Sequence, residues 1–374
     1  MLINLSFQFI NILNFFSNIY ILFFLFILGY LEIVSEGFVV ISLAAIFTQG
    51  FSSNIRNIYL GSNVLNIKKV FLYRILIGVI GFILVTILTY VFIGKSYILF
   101  HSSIILLTTT NWIIELFIAR YEKNRIFNIY YITNLFFLLL MSPILIFLQN
   151  IFFLSLMLYC ISLFNILIFK NYFKSIFNQN IIIKNFIFNL GYYSTLFKTV
   201  VNFFWRYFAI IFVGKSDASL LFMGFTLGSF FGTLFDISYG ARYLKKIKNI
   251  NLFINTFFII YIILVFLFIY FVRNFSFIEN KQFNFFLNTT IFSISGGYFT
   301  VFALRQRQIF FEKEEFRRIC YKADIFIYFV NFFIIPILYY FNQEYLIISY
   351  FVSSIFFYFV YIIFIKNVYS KKII

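Results

Sequence analysis

Val200-Val201-Asn202-Phe203-Phe204-Trp205-Arg206-Tyr207-Phe208-Ala209-Ile210-Ile211-Phe212-Val213-Gly214 is the stretch on which the reading of this chain turns. It is apolar except for one asparagine and one arginine. With the residues before it, it forms a block at about 190–213, long enough to cross the ~30 Å hydrocarbon layer as a helix of roughly 20 residues. Arg206 lies about fourteen residues into that block, ~21 Å from its cytoplasmic edge at 1.5 Å per residue. A charge near a helix centre costs about 2.5–3.5 kcal/mol on insertion scales, so a guanidinium kept there faces a partner or water. Snorkelling to either surface is hard from that depth.

The rest of the chain resembles this block. Of 374 residues, 63% are hydrophobic and 11% charged, and mean hydropathy is +0.99. A soluble domain has roughly 45–50% apolar and about 25% charged residues, and a single core of this size cannot hide the excess. A soluble enzyme and a disordered chain are therefore excluded, and an all-α integral membrane protein is expected. Twelve candidate spans fall at about 8–29, 37–60, 70–93, 96–119, 127–148, 150–170, 190–213, 218–242, 250–272, 284–306, 323–341 and 345–365. The gaps are short and leave no room for a folded extramembrane domain. No Lys or Arg precedes the first span, so it is expected to remain as a helix and not to act as a cleavable signal.

Charge sets the orientation. Of 29 Lys and Arg, one side of the alternating gaps carries Arg56, Lys68, Lys69, Arg74, Arg120, Lys123 and Arg125. Lys170, Lys174, Lys184, Arg242, Lys245, Lys246 and Lys248 follow, then the basic residues of Arg305–Lys322, and Lys366, Lys371 and Lys372. The other side holds only Lys95, Lys215, Arg273 and Lys281. The positive-inside rule then puts both termini in the cytoplasm. The net charge of +17 follows from this bias, so nucleic acid is not an expected partner. One histidine and two cysteines argue against a zinc site or a disulfide framework.

The longest gap divides the chain six plus six. The expected organisation is an N-terminal six-helix lobe over 1–171, a basic linker over 172–189 and a C-terminal six-helix lobe over 190–374. The linker segment Tyr172 to Phe186 reads either as a plain tether or as a basic amphipathic piece on the membrane surface. The two prolines, Pro143 and Pro336, each fall in the fifth span of their half. Their settings are alike: Asn134-Leu135-Phe136-Phe137 leads to one, and Asn331-Phe332-Phe333 to the other. An internal repeat explains this; two unrelated packing kinks are the alternative.

Ionisable groups inside the spans are the candidate functional residues. Arg206 reads as a cation lining a cavity for a mobile anion such as a phosphate, or as a structural arginine held by helix-end carbonyls or water. Lys198, two turns earlier, is expected to pair with Asp236 in the eighth span, either as a fixed salt bridge or as an exchangeable pair. Arg56 ends the stretch Gln49-Gly50-Phe51-Ser52-Ser53-Asn54-Ile55-Arg56-Asn57, where Gly50 and the serines allow close helix approach. Arg56 itself reads as a snorkelling anchor or a substrate contact. Glu115 is expected to face Arg56 or a proton path, or to pair with a neighbouring helix. His101 is read as an interfacial residue near the outer end of its span, with a proton role as the alternative. Arg305 and Arg307 end the tenth span. The Glu314/Arg318 spacing beyond them implies that the helix continues into the cytoplasm, with its cations as a solvated face or a headgroup-attracting one. Gly296-Gly297 permits a bend. No P-loop, no G-x-G-x-x-G and no histidine for a Ser-His-Asp triad is present. Neither enzymatic activity nor a cofactor or metal is expected.

Two stretches carry a resemblance. One is Glu36-Gly37 through Gly50 to Ser53-Asn54-Ile55-Arg56-Asn57; the other is Arg206 followed by Val213-Gly214 and Met223-Gly224. On these, and on span number and spacing along the whole chain, the protein resembles the polysaccharide (O-antigen-type) flippases of the multidrug/oligosaccharidyl-lipid/polysaccharide exporter superfamily. An aspartate often precedes the arginine in that family; here Trp205 stands in its place, which counts against an acid–base pair there. The resemblance implies two six-helix lobes in a V shape, in the cell inner membrane. It implies alternating access that moves a polyprenyl-diphosphate-linked oligosaccharide from the cytoplasmic to the outer leaflet for surface polysaccharide biosynthesis. The partners would be that lipid-linked substrate, the lipid bilayer and polysaccharide polymerase machinery. Arg206, Lys198, Arg56 and Arg305 are then the candidate diphosphate contacts, with Asp236 and Glu115 as candidates for ion coupling. The rival readings are a membrane polymerase or ligase acting on lipid-linked sugars, a drug/cation antiporter of the same fold, and a scaffolding membrane protein. A polymerase needs a larger outer loop than the gap at about 273–283. An antiporter needs an acidic or apolar cavity.

Overall fold

The computed structural model describes residues 2–51, 67–124, 129–168, 190–244, 250–275, 279–311 and 314–365. Every element among them is helical, as a chain must be when lipid offers no partner to an open backbone group. In order they are α1 (Leu2–Ile27), α2 (Leu31–Phe47), α3 (Ile67–Phe92), α4 (Ile98–Asn124), α5 (Ile129–Phe147) and α6 (Ile151–Ile168). Then come α7 (Leu190–Leu244), α8 (Ile250–Phe275), α9 (Asn280–Phe311) and α10 (Glu314–Phe341). A 3-10 turn over Gln343–Ile348 leads into α11 (Ser349–Tyr358), which ends in a π-helical stretch, Phe359–Ile365. Among the described residues nine stretches are long and apolar enough to cross a membrane.

The longest of these, Gly191–Gly232 within α7, would reach about 63 Å if straight, twice the hydrocarbon thickness. It does not run straight. Gly214 has φ +81°, the left-handed conformation that ends helices. The rings of Trp205 and Phe225 lie 4.7 Å apart, where a straight helix would separate them by about 30 Å. α7 is thus a helical hairpin that folds back at Gly214, where the spans expected at 190–213 and 218–242 part. Next to the turn, Gln282 at the start of α9 donates to Ser216 Oγ at 3.1 Å.

The chain forms two compact units. One comprises Met1–Leu25 and Glu36–Phe203; the other comprises Phe26–Ser35 and Phe204–Ile374. The division falls inside α7, whereas the linker expected at 172–189 lies outside the described residues. The start of α7 joins the first unit because Tyr192 packs in its core with Phe71, Trp112 and Phe117, and Thr195 Oγ1 donates to Gly50 O at 2.9 Å.

In the first unit α4 is the central helix, buried along most of its length, with α3 and α6 packed along it. Its neighbours are joined by side-chain amides. Asn111 donates to Ser17 Oγ at 2.9 Å and Asn18 to Thr108 Oγ1 at 2.7 Å. Asn134 donates to Asn165 Oδ1 at 2.7 Å. Such bonds hold helices together where lipid supplies no hydrophobic drive. α3 leaves Leu76, Val79, Ile80, Ile83 and Ile87 exposed, a lipid-facing stripe.

The second unit shares two features of the first. α9 packs most extensively on α11, as α4 does on α6, and α8 exposes Ile259, Ile260, Ile263, Leu264 and Leu267 as α3 exposes its stripe. Pro143 lies inside α5 and Pro336 inside α10. The second limb of α7 meets α9 along glycines. A Cβ at Gly224 would lie 2.7 Å from Thr289 Cγ2, one at Gly228 would run into the Ser293 backbone, and one at Gly297 into the Gly228 carbonyl. Gly296 faces Tyr350 and Ser354 of α11. The Gly296-Gly297 pair therefore serves close approach on two sides.

Candidate functional site

Among the described residues, three clusters of ionisable side chains lie inside the units. The first is Arg74 of α3, fully buried. Its guanidinium lies 4.8 Å from the centre of the Trp112 ring. Nη1 donates to the Trp112 carbonyl and to Glu115 Oε2 at 3.0 Å. Trp112 and Glu115 are three apart on α4, so one helical face presents carbonyl, ring and carboxylate together. Glu115 is thus the partner of Arg74, a residue the charge count had treated only as an orientation signal. That is the pairing with a neighbouring helix allowed for Glu115; Arg56, the other partner considered, lies outside the described residues, with Ser52, Ser53 and Asn54. Gly50 does meet the first limb of α7, where a Cβ would lie 3.0 Å from Thr199 Oγ1.

In the second cluster, His101 Nε2 of α4 lies 3.4 Å from Glu36 Oε2 of α2, with both side chains 3% exposed or less. His101 lies near the end of its span, as expected, with its side chain turned inside the unit. It is fully buried because its position on α4 turns it towards α2, beside a tight crossing at Gly37, where a Cβ would lie 3.3 Å from Leu22 Cδ1. The cue in the sequence was an acid, Glu36, at the edge of a span.

The third cluster joins three elements of the second unit. Arg307 of α9 donates from Nε to Asp324 Oδ1 at 3.0 Å and from Nη2 to Oδ2 at 2.6 Å. Tyr361, within the π-helical stretch, donates to Asp324 Oδ1 at 2.6 Å, and the Cys320 carbonyl is 3.1 Å from the same hydroxyl. Around them pack Phe310, Phe316, Ile327 and Val360. The sequence reading did not single out Asp324, though an acid just inside the span at 323–341 was its signal. α9 continues past Arg307 to Phe311, and Glu314 and Arg318 lie in the first turns of α10.

The remaining candidates stand apart from these clusters. Arg206 lies in the first limb of α7, roughly 12 Å along the axis before Gly214 at 1.5 Å per residue, and its side chain is half-buried. Phe204 and Phe208 of the same limb pack on Phe332 of α10, and Phe212 stacks on Tyr339 at 4.4 Å. At 100° per residue Arg206 projects from the side of the limb opposite this aromatic ladder. Lys198 is exposed. Asp236 falls in the second limb of α7, and its side chain lies outside the described residues. Arg305 is half-buried. It points about 200° around α9 from Arg307, away from the Asp324 cluster.

Several long apolar helices, with bare aliphatic and aromatic faces outside and buried charges held in pairs within, define a multi-pass α-helical membrane protein. No family model matches the chain, and no curated protein or solved structure matches it. Among the described residues no group of three or more metal-ligating side chains occurs.

Proposed function

We propose that this protein is a transporter that flips a polyprenyl-diphosphate-linked oligosaccharide from the cytoplasmic to the outer leaflet by alternating access, for surface polysaccharide synthesis. In this reading it spans the cell inner membrane twelve times as two six-helix bundles with cytoplasmic termini. The α7 hairpin supports that count by accounting for two spans, and α1 and α2 supply two more. The repeated packing of α4 on α6 and α9 on α11 supports the duplication.

The observation that carries the functional reading is the position of Arg206. It is half-buried in the middle of an apolar limb and turned away from the aromatic face that anchors that limb to α10. A guanidinium fits a diphosphate because its planar fork offers paired N–H donors to two phosphate oxygens. Transport of this kind needs an ion gradient or the membrane potential, and Asp236 is the proposed coupling acid.

The test is export in a strain whose only copy carries Arg206→Ala, with membrane insertion checked separately. Loss of export with normal insertion is expected. Full export removes Arg206 from the proposal. Deleting the gene and measuring lipid-linked oligosaccharide in each leaflet tests the function itself: build-up facing the cytoplasm is expected. Normal flipping with unpolymerised units outside assigns the chain to the polymerase class.

A further inference from the structure

α10 presents two faces that differ in kind. At about 100° per residue, Phe316, Cys320, Asp324 and Ile327 fall on one side of the helix, and all four are buried. On the opposite side Phe326, Phe329, Phe333 and Ile337 are exposed. Lys322 and Arg318 are exposed too, one and two helical turns before Phe326. All six of these exposed residues fall within an arc of about 100°. The apolar stripe therefore runs into two cations without leaving its face of the helix. We propose that this face of α10 binds one anionic phospholipid, with an acyl chain along Phe326, Phe329 and Phe333 and the phosphate between Lys322 and Arg318.

The spacing along the helix matches a bilayer leaflet. α10 lies in a stretch long and apolar enough to cross a membrane. From Ala323 to Phe341 it rises about 27 Å, close to the ~30 Å hydrocarbon layer. Lys322 stands about 2 Å beyond Ala323 and Arg318 about 8 Å beyond it. The polar layer on each side of the hydrocarbon is roughly 5–8 Å deep, so both cations sit at headgroup level. Side chains on a helix lean towards its N-terminus, which carries both cations outward, away from the apolar layer.

The chemistry favours a headgroup with net negative charge. Cβ atoms four residues apart on a helix are about 6 Å from each other, so the ammonium and the guanidinium repel until an anion lies between them. A phosphate accepts from both: the guanidinium offers paired N–H donors and the ammonium acts as a compact point charge. A zwitterionic headgroup brings its own cation to the same place. Glu314 and Glu315 open the helix about 12–14 Å beyond Ala323, past the polar layer. Asp324 belongs to the buried side, where it accepts from Arg307 and Tyr361.

Binding at this face is independent of the transport reading, because it is read as retained lipid and not as export. Native mass spectrometry of the full chain in detergent, with phosphatidylglycerol or phosphatidylcholine of the same acyl chains, measures it. The wild type is expected to retain one phosphatidylglycerol in preference to phosphatidylcholine. Each cation beside an anionic lipid strengthens binding about fivefold, so Arg318→Gln/Lys322→Gln should weaken phosphatidylglycerol retention about thirtyfold. Lys95→Gln/Lys281→Gln makes the same change of charge at exposed positions outside α10 and should leave retention unchanged.

A second measurement needs no variant. Acetylation of Lys322 in the wild type should fall severalfold with phosphatidylglycerol and stay unchanged with phosphatidylcholine. Equal retention of the two lipids, equal losses in the two double variants, or no protection of Lys322 overturns the proposal. Displacement of the lipid by inorganic phosphate also overturns it, by making the pair a simple anion site. So does a disulfide between copies carrying Phe333→Cys/Cys160→Ser, which would place a second copy of the chain over the stripe.

Discussion

Asp324 accepts hydrogen bonds from Arg307 on both of its oxygens, at 3.0 Å from Nε and 2.6 Å from Nη2, while Tyr361 holds Oδ1 from the opposite helix. The pair fixes α9 to α10, and Tyr361 adds the C-terminal stretch. Arg307→Ala removes the cation from a buried carboxylate, and loss of one partner of such a pair costs about 3–5 kcal/mol. The Arg307→Met/Asp324→Leu double variant is expected to be more stable than either single variant, because no buried charge then remains. Thermal unfolding in detergent micelles checks the order. A double variant no better than Arg307→Ala counts against the pair.

Glu115 stands in the same relation to Arg74, with one difference: its side chain is 32% exposed, while Arg74 is sealed. Water can partly solvate Glu115 when the arginine is lost, whereas Arg74 has no such relief. Glu115→Leu is therefore expected to destabilise the first unit more than Glu115→Gln, which retains an acceptor for Nη1. The difference should be about 1–3 kcal/mol, the range for a hydrogen bond to a charged group. Comparing the two melting transitions decides it; equal transitions would show that the contact contributes nothing.

Gly224, Gly228 and Gly232 set a graded series along one seam. A methyl at Gly228 meets the backbone of Ser293, which cannot give way. At Gly224 it meets the Thr289 side chain at 2.7 Å, and at Gly232 Thr300 Cγ2 at 3.3 Å. Overpacking costs roughly 1–3 kcal/mol, so the yield of folded protein should fall in the order Gly232→Ala, Gly224→Ala, Gly228→Ala, the last being lowest. Size-exclusion profiles of the three variants measure this. A normal Gly228→Ala profile would mean that α7 and α9 do not cross there.

Gly214 is where α7 reverses, at φ +81°, and a Cβ would meet nothing within 4 Å. Substitution there is a matter of backbone strain alone. Gly214→Ala should cost about 1–2 kcal/mol, and Gly214→Asn less, because asparagine tolerates the left-handed region. A β-branched residue should cost most. Cysteines placed at 214 and 217 should label from the side opposite the termini. Labelling from the cytoplasmic side would end the hairpin topology.

Much of this fold was legible before any coordinates. The blocks at 70–93, 96–119 and 150–170 lie within a few residues of α3, α4 and α6, because apolar run length is a local property. The break after Val213 was visible too, as a glycine followed by Lys215, Ser216 and Asp217. The ionic partners were much less legible. Arg74 passed as an orientation signal, His101 as an interfacial residue, and Asp324 went unnoticed. Each partner lies on another helix, and which face of a helix turns inward depends on the neighbours it packs against.

The amino-acid sequence alone determined that the chain enters a membrane as a series of helices, because burying backbone polar groups in lipid permits little else. It also determined the charge bias that orients them. Only the tertiary structure decided which charges meet: Arg307 with Asp324, Arg74 with Glu115, and Glu36 with His101. Hydropathy is summed along a single segment, whereas an ion pair forms through the crossing of two helices distant in sequence.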